Sequence, residues 1–122
     1  MGSAARIASS HQRTLFDALN RCGELILAVG PEGISANLVG TLRVRRHGVE
    51  DVLDVDDGKH HVHIDWRRMK EVEVGVHDGE GLLTFYDGTD ALFRLYRPEG
   101  PYPSEVTRFA DVALWPSEAG EP

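Results

Sequence analysis

The feature that most limits what this chain can fold into is its punctuation. From Glu24 to Tyr96, short apolar segments alternate with Gly, Asp and Pro turn signals at close intervals. The clearest segment is Glu71 to Val76, where Val72, Val74 and Val76 alternate with Glu71 and Glu73. A period of two puts the valines on one face and the glutamates on the other, which specifies a half-buried strand. Leu25 to Val29 is an unbroken apolar run of strand length. Gly30-Pro31-Glu32-Gly33, Asp56-Asp57-Gly58 and Asp78 to Gly81 read as turns, and Asp87-Gly88 is a hairpin signal between Leu82–Tyr86 and Ala91–Tyr96. Gly40 interrupts the extended run Ile34 to Val44 and predicts a bulge or bend there.

Helical spacing occurs only at the two ends. Leu15, Phe16, Leu19 and Cys22 form an apolar stripe behind Ser9 or Ser10 as N-cap, and Gly23 is the stop signal. Ser104 is the cap of a last helix carrying Val106, Phe109, Val112 and Trp115. Asp65 is placed to cap one helical turn through Trp66 to Met69. The expected fold is α+β: one large antiparallel β-sheet with an N-terminal and a C-terminal helix. Residues 1–9 read as a disordered tail, 10–115 as a single domain and 116–122 as a second tail. With 122 residues, 41% of them apolar, the chain is long enough for one self-sufficient core.

Composition narrows the function. No run approaches the roughly 20 apolar residues of a membrane span, so no membrane insertion is expected. The N-terminus has no apolar signal-peptide region, and one cysteine allows no internal disulfide; the expected location is cytoplasmic. A net charge of −7 disfavours nucleic acid, and Arg43, Arg45 and Arg46 read as a solvated strand end. Gly30 to Gly33 lacks the Lys-Ser or Lys-Thr of a phosphate-cradling loop, so no nucleotide is expected. No G-x-S-x-G elbow is present, and Cys22 falls on the buried stripe, so no catalytic residue is assigned. Asp54, Asp56 and Asp57 lack the flanking helices and closing Glu of a calcium loop.

The densest group of ligand-type side chains is His60, His61 and His63. On a strand, His61 and His63 project from one face roughly 6–7 Å apart. That spacing suits a shared zinc, copper or iron, or one imidazole beneath a heme, and it equally suits ordinary sheet histidines. No further ligand stands at a diagnostic spacing. Arg94 and Tyr96 share one strand face with Arg97 close behind; they can receive carboxylates or simply form the exposed side.

The ordered series of segments resembles the HemS/ChuX/HutX group of bacterial heme-utilisation proteins over roughly residues 15 to 113. The resemblance rests on the helix ending at Cys22-Gly23 with the strand to Val29, the His63-Ile64 strand and Met69 to Val76. It continues through Leu82-Leu83-Thr84-Phe85-Tyr86-Asp87-Gly88 and Leu92 to Arg97. It implies a cytoplasmic heme-binding or heme-trafficking protein. His63 is then the candidate axial ligand, with His61 and His60 as alternatives. Arg94 and Arg97 become candidate propionate partners. A second histidine of the single-repeat carriers falls on Gly30 and is missing. A heme-degrading relative, or a relative without heme acting as a metal-binding or interaction module, are the competing readings. Because the length equals one repeat of a fold with tandem-repeat members, the resemblance also implies a homodimer.

Overall fold

A computed structural model describes residues 5–8, 12–30, 33–47 and 50–108. In chain order they form β1 (Ala5–Ala8), α1 (Gln12–Leu19), β2 (Leu25–Val29), β3 (Ala36–Gly40), β4 (Leu42–His47) and β5 (Glu50–Val55). Then follow β6 (His60–Ile64), a 3-10 turn (Trp66–Arg68), β7 (Glu71–His77), β8 (Glu80–Asp87), β9 (Asp90–Arg97) and α2 (Ser104–Thr107). The α+β class expected from the sequence is the one observed. The remainder of the last helix, with Phe109, Val112 and Trp115, lies outside the described residues, as do both chain ends.

Six strands form one antiparallel sheet in the order β1-β7-β8-β9-β2-β3, and β4-β5-β6 form a smaller second one. The register follows from the turns. Asp78 and Gly79 both take positive φ, the geometry of a tight two-residue hairpin, and they lock His77 opposite Glu80. Gly88 and Thr89 likewise pair Asp87 with Asp90.

Two features depart from the sequence reading. Residues 5–8, placed there in a frayed tail, pair as β1 with β7, from Ala5 opposite Val74 to Ala8 opposite Glu71. The expected single sheet is accompanied by a second because the chain turns a corner at Gly40. There φ is +158°, and a Cβ would stand 2.5 Å from Asp56 Cα. The chain therefore leaves the large sheet at Gly40 and enters the small one at Leu42. The Asp56 N–H donates to the Thr41 carbonyl at 3.0 Å and pins the corner.

The core lies between the inner face of the large sheet, α1 and the small sheet. Leu25 and Leu27 of β2, Val72 and Val74 of β7, Leu83 and Phe85 of β8, and Leu95 of β9 all point inward. Leu15, Phe16, Ala18 and Leu19 of α1 and Leu53 and Val55 of β5 close over them. Cys22 is buried with its thiol donating to the Ala18 carbonyl at 3.6 Å, and burial pushes that thiol up. An aromatic ladder crosses the core. Trp66 meets Phe16 edge-on at 5.4 Å, Phe16 stacks on Phe85 at 5.3 Å, and Phe85 stacks on Phe93 at 4.4 Å.

Candidate functional site

The ladder ends at an apolar cleft of about 290 Å³. The cleft lies where the edge strand of the small sheet, β6, faces the end of β2 and the start of β9. Its apolar walls are Val29, Val62, Ile64, Met69, Leu92 and Phe93, with His63, Asp65 and Arg68 around them. Three consecutive β6 residues, 62 to 64, line it, because the strand's edge rather than one face forms the wall. Leu92 reaches it through the β-bulge that shifts the β8–β9 register after Phe85.

The mouth is built by the 3-10 turn. Asp65 caps it, accepting from the Arg67 N–H at 3.0 Å, as its sequence position suggests. The turn buries Met69 against the core and presents Arg68 beside the cleft. Arg68 Nε donates to Asp87 Oδ2 at 2.7 Å. Arg68, with Lys70 nearby, holds the Asp87 carboxyl below the usual carboxylate range against the opposing effect of burial.

His63 is exposed and lines this cleft. His61 shares its face of β6 and has different surroundings. Its Nδ1 lies 2.9 Å from Asp54 Oδ1. Asp54 also receives Arg45 Nε and Nη2, both at 3.0 Å, in a bidentate pair. The Arg45 bonds, aided by His61, outweigh burial and hold the Asp54 carboxyl at about 2. Held through Nδ1, the His61 ring turns Nε2 away from Asp54. His60 is exposed opposite Val55.

The two arginines named from the sequence are not brought to this cleft. Arg94 lies opposite Ala28 and Thr84, on the outer face of the large sheet, whereas the cleft opens on the inner side with Phe93. Arg97 is engaged in holding the loop after β9. Its Nε donates to the Cys22 carbonyl at 3.4 Å, Nη1 to the Gly100 and Pro101 carbonyls, and Nη2 to Glu99. At position 30, φ is +138° and a Cβ would sit 2.3 Å from the Ile34 carbonyl oxygen. The backbone there requires glycine, so a histidine is excluded by local geometry. Arg68 is the residue that sequence reading passed over. Its signal was position, as the last residue of an Asp-capped turn, directly before the buried Met69.

No protein-family model matches the chain. No curated protein matches it either. Solved structures do. The mainly antiparallel architecture with short flanking helices is the ChuX/HemS-like fold. A protein from Erwinia carotovora superposes with a TM-score of 0.66 at 15% identity, covering 87% of this chain and 71% of that one. ChuX, described as a heme-binding protein, superposes at 0.64 with 12% identity over 88% and 72%. Holo-PhuS, a heme-binding protein from Pseudomonas aeruginosa, gives 0.64 at 17% identity over 88% of this chain but 34% of its own.

Proposed function

We propose that this chain is a heme-binding protein of heme trafficking, with the β6-edge cleft as its heme site. The observation that carries this reading is an exposed imidazole, His63, on the lining of an open apolar cleft in a fold shared with heme-binding proteins. The residues fit the group in three respects. The walls are apolar, His63 supplies an imidazole nitrogen, and Arg68, which also donates to Asp87, brings a cation to the mouth of the cleft. Bound heme would supply a coordinating iron. Val29, Leu92 and Phe93 would cover porphyrin surface and exclude water, and His63 would hold the iron. Gly30 removes one side-chain ligand seen by resemblance, which favours carriage over tight two-histidine ligation.

The reading includes a cytoplasmic location and a homodimer standing in for tandem repeats. Hemin added to the pure protein is expected to give a Soret shift saturating at one heme per chain. An unchanged hemin spectrum at stoichiometric protein contradicts the proposal.

One observation favours a second reading. His61 is fixed through Nδ1 by a carboxylate, the arrangement that orients metal-binding imidazoles. His61 and His63 would then share a zinc or copper ion on the outer face of the small sheet. Metal analysis of the protein as purified separates the two: stoichiometric zinc or copper supports the second.

A further inference from the structure

Arginines of this chain meet carboxylates in two different ways. Arg45 and Arg67 each donate through Nε and Nη2 to both oxygens of one carboxylate, Asp54 and Asp65 respectively. Those forks are closed on a single partner. Arg68 donates to Asp87 Oδ2 through Nε alone, at 2.7 Å, and neither of its Nη groups makes a hydrogen bond within the described residues.

The difference lies at the second oxygen of Asp87. Lys70 Nζ stands 3.6 Å from Oδ1, the atom that a closed fork would take. The backbone sets these groups in place. The Arg68 N–H donates to the Asp65 carbonyl at 3.0 Å within the 3-10 turn. The Lys70 N–H donates to the Tyr86 carbonyl at 2.8 Å, which brings Lys70 beside Asp87. Asp90 stands opposite Asp87 across the β8–β9 hairpin. A like charge there favours keeping two cations on the Asp87 carboxylate. Arg68 also lines the same cleft as His63, so its open Nη edge is a two-donor fork at the border of an apolar cavity.

We infer that Arg68 is the carboxylate-recognising residue of this cleft, anchored through Nε by Asp87, and that Lys70 is the positioning residue that keeps its Nη edge open. The inference rests on the heme reading and deepens it: the guest is an apolar macrocycle recognised in its free-acid form, with one propionate at Arg68. A guanidinium–carboxylate pair is stronger than a neutral hydrogen bond, and an esterified propionate, which carries no charge, loses it. Arg68 then discriminates by charge where the apolar walls discriminate by shape.

Hemin and hemin dimethyl ester, titrated by Soret absorbance in the same mild detergent, test it. Wild type should bind hemin about tenfold more tightly than the ester, the size of one charge-assisted hydrogen bond. Arg68→Gln should weaken hemin about tenfold and leave the ester unchanged, which erases the preference. Lys70→Gln should let Arg68 close on both Asp87 oxygens and weaken hemin about threefold, again with no change for the ester. Lys70→Arg should keep wild-type binding. Beside Asp87→Asn, Lys70→Gln should have no effect, because no carboxylate is left for Arg68 to close on. Should Arg68→Gln lose native β-sheet circular dichroism, Arg68→Lys replaces it: a point charge without the fork, expected to weaken hemin about threefold. A full preference for hemin in the folded Arg68 variant, equal binding of hemin and ester by wild type, or a Lys70→Gln effect that persists beside Asp87→Asn overturns the inference and leaves the heme reading standing. A wild type that binds neither porphyrin overturns the heme reading, and the inference with it.

Discussion

His61 and His63 stand two residues apart on one face of β6, in surroundings of opposite kind. His61 belongs to a charged network whose members satisfy one another: Arg45 to Asp54, Asp54 to His61. His63 belongs to the rim of an apolar cleft whose walls come from four separate segments of the chain. The difference teaches how surroundings set what a side chain meets. A histidine held by a buried carboxylate is tied into a polar network of the small sheet; one on the lining of an apolar cleft stands where a flat apolar guest would lie. The comparison can be broken or sharpened at several points.

The largest effect should come from beneath the cleft. Phe85 joins Phe16 to Phe93, so Phe85→Ala should remove the ladder's centre and cost about 3–5 kcal/mol in urea unfolding. The cleft should lose its Phe93 wall with it, while the Arg45–Asp54–His61 network on the other side of β5 stays formed. An unaltered hemin response in a folded Phe85→Ala protein would break the link between core and cleft.

A second test restores the missing histidine. Gly30→His forces a side chain into the Ile34 carbonyl at a positive φ, so it should cost about 1–3 kcal/mol rather than strengthen heme binding. Tighter hemin binding by a stable Gly30→His protein would show that the loop yields.

The network has a pH signature of its own. The folded Asp54 carboxyl sits at about 2, below its ordinary value of 3.8. A depressed carboxylate contributes stability that is fully present above pH 4 and is lost as pH falls from about 4 to about 2. Screening of the half-exposed Arg45 and His61 leaves about 1–2 kcal/mol of it. Acid unfolding of Asp54→Asn should lack that component, and His63→Ala should keep it.

Much of this was legible in the sequence, for local reasons. The alternation at Val72, Val74 and Val76 marked β7, because a period of two has only two outcomes; Val72 and Val74 are buried on the inner face, whereas Val76, near the strand's end, is 57% exposed. Asp87-Gly88 gave the β8–β9 hairpin, and Asp65 gave the capped turn. What stayed hidden depended on distant partners. Ala5–Ala8 carries little apolar signal, and only the open edge of β7 makes it a strand. Gly40 announced a bend, but only the approach of Asp56 turned the bend into a change of sheet. Arg97 looked available until the carbonyls of Cys22, Gly100 and Pro101 gathered around it. The cleft was legible only through His63, since its other walls converge from segments far apart in the chain.

The smallest expected stability effect belongs to the residue of greatest functional interest. His63→Ala should change unfolding by about 0.5 kcal/mol or less, as exposed positions do, and His61→Ala by somewhat more, since Asp54 loses a partner. Hemin binding should reverse that order. A Soret titration of wild type, His61→Ala and His63→Ala under identical conditions tests the central claim most directly. The account predicts that His63→Ala weakens binding at least tenfold and alters the ligand-field spectrum, while His61→Ala follows the wild-type curve. Equal loss in both variants, or loss in His61→Ala alone, would contradict it and move the site to the outer face of the small sheet.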